Sequence, residues 1–375
     1  MHQLVGVLFV FGFAGLVMAA GGRDASLVAP EIQINPGEKY AAGTRTWQGI
    51  PGLERAANGR LWAVWYSGGK GEGNENYVVL VTSDDDGKTW SEPKLVIDPP
   101  GPVRAFDPCL WHDPTGRLWL FWAQSNTLWD GRGGTWAITT KDSADADPTW
   151  TPPRRIGHGI MMNKPTVLST GEWALPLAVW PIKPRRPDMA DERFPNLHIT
   201  RDQGKTFRRV RGPDIPGRKI DEHMLVERAD GSWWVLVRMP YGIGESVSRD
   251  GGKTWSPGRD SGIKGPNARF FITRLKSGKL LIVNHYKFKS RDHMTASLSD
   301  DDGKTWYGHL LLDERKHVSY PDGVQAPDGR IYLIYDRERH GAKEILMAVV
   351  TEQDIAAGKC TSKHARLRVL VNKVP

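Results

Sequence analysis

The chain has 375 residues, 51 Lys and Arg against 43 Asp and Glu, and a formal net charge of +8. Two cysteines do not make a disulfide scaffold, and the scattered basic residues form no stripe with interleaved aromatics, which argues against a nucleic-acid partner. Sixteen Trp, 41 Gly and 26 Pro point instead to many short strands joined by many turns.

The chain opens with an apolar run from Leu4 to Met18 that ends in Ala19-Ala20. Small residues closing such a run predict a secretory signal peptide over residues 1–20, cleaved near Ala19 or Ala20, and so a secreted or periplasmic protein. The run is shorter than a spanning helix needs and no later segment could cross a bilayer, so stable membrane insertion is not expected. Residues 28–375 are expected to form a single domain. Within it, the segment Val28–Tyr40 predicts a strand that joins the last repeat and closes a ring, with Ala365–Val374 as the competing candidate. Cys109 and Cys360 are expected to be two separate buried thiols.

An eight-residue pattern, Ser/Thr-x-Asp-x-Gly-x-Thr-Trp/Phe, recurs at Ser83–Trp90, Thr200–Phe207, Ser248–Trp255 and Ser299–Trp306, with a worn copy from Thr140 to Trp150. The closing aromatics, at 90, 150, 207, 255 and 306, step by 60, 57, 48 and 51 residues. Spacings of that size mark one supersecondary unit used repeatedly. In each copy the Asp can accept backbone N–H bonds, Gly permits a positive φ, and the aromatic anchors a hairpin. Upstream of each copy lies a strand, a Gly turn and a second strand. These start at Gly49, Asp107, Asn163, Glu222, Arg269 and Tyr320 and turn at Gly59, Gly116, Gly171, Gly231, Gly278 and Gly329. Six such units predict an all-β fold, a six-bladed β-propeller of four-stranded antiparallel blades.

The first strand of each blade lines the axial channel, so its opening residues face any ligand. In units two to six these are Asp107, Asn163 with Lys164, Glu222, Arg269 and Tyr320, a ring of polar groups. The repeats, together with the segments Asp221–Arg238, Arg291 and Ser319-Tyr320-Pro-Asp322, resemble the bacterial exo-sialidases (neuraminidases). The resemblance implies Tyr320 as nucleophile, Glu222 as its base, and Arg238 and Arg291 as carboxylate-binding residues. It implies an acid/base from the loop Gly68–Asn76, where Glu72 or Glu75 stands in place of an Asp. A phenol does need an adjacent base to attack at neutral pH, and a Tyr nucleophile is a recognised departure from the usual carboxylate pair. Arg269, Asp107 and Lys164 are further candidates for substrate contact.

One departure is plain. The family opens blade one with Arg-Ile-Pro, and this chain has Gly49-Ile50-Pro51. A Gly cannot grip a carboxylate, so Arg45, Arg104 or Arg269 would have to reach in, or the substrate lacks that carboxylate. The expectation is an exported exo-acting glycosidase that cleaves a terminal, acidic sugar from a glycan, with no cofactor. A propeller polysaccharide lyase and a non-catalytic glycan-binding propeller are the alternatives. His158 and His285 have no metal-ligand spacing, and no Ser-His-Asp arrangement is visible. The oligomeric state and the sugar are not readable from the residues.

Overall fold

A computed structural model describes residues 24–126, 128–182 and 187–375; the expected signal peptide lies outside the described residues. Each predicted strand–turn–strand unit forms the inner half of a four-stranded antiparallel blade, the first of which gains a fifth strand at its outer edge, and six sheets surround one axis. Blade one comprises Gln48–Arg55, Leu61–Ser67, Tyr77–Ser83 and Leu95–Ile97. Blade two comprises Arg104–His112, Leu118–Ser125, Gly134–Thr140 and Arg154–Gly157. Blade three is Thr166–Val167, Trp173–Ala178, Pro195–Thr200 and Arg208–Val210. Blade four is Met224–Glu227, Trp233–Met239, Gly242–Ser248 and Arg259–Asp260. Blade five is Phe271–Arg274, Leu280–Asn284, Met294–Ser299 and Tyr307–Asp313. Blade six is Val318–Gln325, Ile331–Arg337, Glu344–Val350 and Arg366–Lys373. The one described α-helix, Glu352–Ala357, is capped by Thr351 and ended by Gly358.

The expected ring closure is corrected. The strand Ile32–Ile34 pairs with Leu95–Ile97 at the outer edge of blade one, not with the last blade. Blade six is completed by its own C-terminal strand, Arg366–Lys373, which pairs with Glu344–Val350. Side chains, not a shared sheet, join the first blade to the last: Asp336 and Asp322 of blade six accept the backbone N–H groups of Ile50 and Leu53 at 2.8 and 2.9 Å.

The core lies between blades. Trp62, Trp65, Trp122 and Trp234 are fully buried in clusters that each span neighbouring sheets. The eight-residue turns serve this packing. In the fourth copy, Asp301 Oδ1 accepts the Thr305 N–H at 2.8 Å and Oδ2 accepts its hydroxyl at 2.6 Å, while Ser299 Oγ accepts the Gly303 N–H. Gly303 has φ +85°, and a Cβ there would lie 2.6 Å from the Trp234 ring of blade four. The turn needs Gly both for its dihedral and for its approach to the next sheet. The cysteines are unpaired as expected; Cys109 is buried, but Cys360 is exposed rather than buried.

The inner strands carry one more regularity. In blades one, two and six the pairing register slips between Gly49 and Gly52, Phe106 and Cys109, and Ser319 and Asp322. Ile50, Asp107 and Tyr320 sit in those bulges with φ of 59°, 48° and 54°, and Glu222, just ahead of the blade-four inner strand, has φ 37°. Left-handed backbone at a non-Gly residue costs on the order of 1–3 kcal/mol and is kept where a side chain must be re-aimed. Three of these four residues are titratable.

Candidate active site

The site is assembled where these strained residues converge. Tyr320 Oη donates to Glu222 Oε1 at 3.0 Å, although 98 residues separate them. Arg238, at the far end of the second strand of blade four, donates from Nη1 to the same Glu222 oxygen at 2.8 Å and to Tyr320 Oη at 3.4 Å. Its Nε donates to Asn267 Oδ1 at 2.7 Å, which fixes the plane of the guanidinium. Glu222 Oε2 is buried and has no hydrogen-bond partner among the described residues. Arg291 approaches from blade five, with its guanidinium 5.4 Å from the centre of the Tyr320 ring.

The place left by the missing blade-one Arg is filled from another blade. A Cβ built on Gly49 would lie 2.2 Å from Cδ and 2.8 Å from Cγ of Arg339. Arg339 follows the second strand of blade six, lies 5.0 Å from the centre of the Tyr320 ring, and pairs through Nη1 with Glu72 Oε1 at 3.0 Å. Its Nε stands 3.8 Å from Asp336 Oδ2. The absence of a side chain at Gly49 and the presence of Arg339 are therefore one structural fact. Nothing in Arg337-Glu-Arg339-His340 marks it in the sequence; only the void over Gly49 does.

None of the three expected substitutes reaches this position. Arg45 is buried against Gln48 and Asn372. Arg104 stacks 4.1 Å over the Phe106 ring and donates to the Leu128 carbonyl. Arg269 is 1% exposed and donates to Asn163 Oδ1 and the Met162 carbonyl. Lys164 is similarly committed, donating at 2.7 Å to Glu54 Oε1 and to the carbonyls of Leu53 and Leu110. Arg269 and Lys164 flank the buried Asp322, at 3.8 and 3.4 Å. Together with Glu54 they form a polar plug across the channel. They are expected substrate contacts that the fold places beneath the site instead. Asn163 ties the plug to the site, because its Nδ2 donates to the backbone carbonyls of Glu222 and His223.

The two loop carboxylates part company. Glu72 turns inward to Arg339, whereas Glu75 lines a separate cleft at the rim with Lys39, Arg45 and Tyr77. Asp107 is 3% exposed, and burial, reinforced by the neighbouring charge of Glu72, pushes its carboxyl well above the usual carboxylate range. Burial and the Glu222 charge push the Tyr320 phenol up to about 12, against the pull of Arg238, Arg291 and Arg339. The phenol is thus protonated at neutral pH and donates to an acceptor carboxylate. No group of three or more His, Cys, Asp or Glu able to hold a metal occurs among the described residues.

The family described as BNR repeat-like domain matches residues 59–333. A protein of unknown function from Dyadobacter fermentans superposes with a TM-score of 0.64 at 18% identity, covering 84% of this chain and 95% of that one. The intramolecular trans-sialidase from Ruminococcus gnavus, in complex with oseltamivir carboxylate, gives 0.64 at 14% identity over 87% of this chain and 98% of its own. The NanB sialidase from Streptococcus pneumoniae gives 0.61 at 14% identity over 90% and 69%. Among curated proteins no sequence matches significantly. At these identities the likeness is one of fold.

Proposed function

The chain belongs to the BNR repeat-like domain family, and on that premise we propose that it is an exo-acting glycoside hydrolase of the sialidase type, cleaving a terminal anionic sugar. The observation that carries the reading is the hydrogen bond from Tyr320 Oη to Glu222 Oε1 inside a ring of three arginines. Tyr320 Oη attacks the anomeric carbon while its proton passes to Glu222, because a phenol held near 12 cannot wait as a phenolate. The aglycone oxygen leaves with a proton from Glu72, which acts in its protonated form with the proton on the oxygen that Arg339 does not hold. A water then gives a proton back to Glu72 and attacks the same carbon, and Tyr320 recovers its proton from Glu222. Two displacements give net retention. The neutral phenol avoids the repulsion that a carboxylate nucleophile would meet beside an anionic substrate.

Arg238, Arg291 and Arg339 supply the positive ring for the sugar's carboxylate, and Glu222 Oε2 is a buried acceptor suited to a sugar hydroxyl. The solved neighbours add support in kind: one holds oseltamivir carboxylate and another, a Trypanosoma rangeli sialidase, holds sialic acid. Secretion through residues 1–20 fits a glycan substrate met outside the cytoplasm.

The test uses fluorogenic glycosides of anionic sugars with Tyr320→Phe and Glu222→Gln. Each is expected to lower kcat by about 10²–10⁴, and the first anomer released should retain configuration by NMR. Full rate in both variants would sink the assignment. A product absorbing as a new conjugated double bond would turn the reading to a lyase. Binding unchanged in both variants without turnover on any glycan would turn it to a lectin.

A further inference from the structure

The other end of the channel, beyond the plug, opens into a cavity of about 900 Å³. Trp111, Leu168, Met224, Val226, Phe271 and Val324 give part of its wall an apolar character, while Arg55, Lys141, Glu227, Arg274 and Lys276 line other parts of it. On one side stand three polar side chains from three separate segments. Ser143 Oγ lies 2.9 Å from His112 Nε2, and His112 Nδ1 lies 3.0 Å from Glu54 Oε2. All three residues line the cavity. We infer that Ser143, His112 and Glu54 form a second, hydrolytic site that acts on carboxylic esters carrying a small apolar acyl group.

The connectivity is that of an activated serine. Glu54 can only accept from Nδ1–H, which leaves Nε2 of the neutral ring as the acceptor for the Ser143 hydroxyl proton. Burial opposes the charge on Glu54, yet Lys164 and His112 hold its carboxyl down to about 2, so the orienting group stays anionic. Each member is fixed independently. Glu54 is 4% exposed and its other oxygen is held by Lys164 at 2.7 Å. His112 ends the inner strand of blade two. The Ser143 carbonyl accepts the Trp62 indole N–H at 2.8 Å.

The chain departs from its own repeat at this point. The worn copy from Thr140 to Trp150 lacks the Gly of the other turns and sets its Thr149-Trp150 three residues farther from its Asp142, and Ser143 sits in the altered stretch. Its turn leaves the Ser143 and Ala144 N–H groups without a hydrogen-bond partner among the described residues. These donors are adjacent to Oγ along the chain and suit an oxyanion formed beside it.

In the reaction, Ser143 Oγ bonds to the ester carbonyl carbon as its proton moves to His112 Nε2. The carbon–alkoxy bond breaks and the alcohol leaves with that proton. Water then gives a proton to Nε2 and attacks the acyl-serine, releasing the acid and restoring the hydroxyl. No cofactor or oxidant enters the balance.

This proposal is independent of the glycosidase assignment. The full chain is incubated with p-nitrophenyl butyrate, and separately with a fluorophosphonate probe followed by peptide mass mapping. The expected result is hydrolysis above buffer, labelling of Ser143, and loss of both by about 100-fold or more in Ser143→Ala and His112→Gln. Tyr320→Phe, at the opposite mouth, should leave both unchanged. Thermal unfolding of Ser143→Ala and His112→Gln checks that each is folded. A folded Ser143→Ala that hydrolyses the ester at the native rate overturns the proposal. So does a native protein that is neither labelled at Ser143 nor active on the ester.

Discussion

The two mouths of the channel are lined by the same six inner strands, yet the strands begin and end in different chemistry. At their beginnings, bulges and left-handed residues aim Tyr320, Glu222 and Asp107 at one point, and arginines from blades four, five and six surround it. At their far ends the backbone is relaxed and the turns repeat. Between lies the plug, where Lys164 and Arg269 meet the buried Glu54 and Asp322. The contrast separates two uses of charge. In the plug Lys164 and Arg269 are tied to protein acceptors from several blades, so it holds blades together. At the open mouth the cations converge on a face with partial exposure, such as the 19% of Arg339, so they can meet a ligand.

The sharpest way to break this comparison is Lys164→Met. Removing one partner of a buried charge cluster leaves Glu54 and Asp322 without their nearest cation, and about 3–5 kcal/mol of stability should be lost, read as a lower urea midpoint. The acid side of the stability curve gives a second readout. Glu54 is depressed to about 2 in the fold, below its unfolded value of about 4.3. Its contribution is therefore fully present above the unfolded value and lost as pH falls through about 2. Without Lys164 the loss should begin at higher pH. Asp322 is pushed up by burial and acts in the opposite sense, so the difference between native and variant curves is the quantity to follow. An unchanged midpoint would mean that the plug is not structural.

Arg339→Ala probes the open mouth. Loss of a charge-assisted contact worth about 1.5–3 kcal/mol should raise KM for anionic glycosides about 10–100-fold, with a smaller effect on neutral ones. Because Arg339 also packs over Gly49 and stands beside the buried Asp336, the urea midpoint should fall, but by less than in Lys164→Met. If stability falls as far as in Lys164→Met while KM is unchanged, the distinction between the two charge clusters fails.

The ease of reading the sequence follows the same division. The turns at Ser83, Thr200, Ser248 and Ser299 were legible because identical local geometry demands identical residues, and the blade count followed from their spacing. Tyr320 and Glu222 were legible as channel-facing residues from the repeat, but their pairing could be expected only from the family resemblance; no local rule joins residues 98 positions apart. Arg339 escaped because its meaning depends on an empty volume over Gly49, which is a relation between blades one and six. Arg269 and Lys164 were misplaced for a related reason. A charged residue near the start of an inner strand can point up to the mouth or down into the plug, and periodicity does not choose. The triad-like set Glu54, His112 and Ser143 was invisible for the same cause, since its members sit on separate segments. The closing strand was misread because Ile32–Ile34 and Arg366–Lys373 are equally plausible edge strands by composition.

The smallest effect tests the claim that the repeated turns are instruments of packing between blades rather than of local folding alone. Gly303 and Gly278 both have positive φ, +85° and +89°. A Cβ on Gly278 meets nothing within 4 Å, whereas one on Gly303 lies 2.6 Å from the Trp234 ring. Both Gly→Ala changes incur the left-handed cost of about 1–2 kcal/mol, and it cancels between them. Gly303→Ala must also displace an indole in a dense core, adding about 1–3 kcal/mol. The difference between the two urea midpoints therefore measures the contact across the blade four–blade five interface. If the two variants unfold at the same denaturant concentration, Trp234 yields freely and the turn matters only for its dihedral. If Gly303→Ala unfolds earlier, the residue that makes the repeat recognisable in sequence is also the one that seats each sheet against its neighbour.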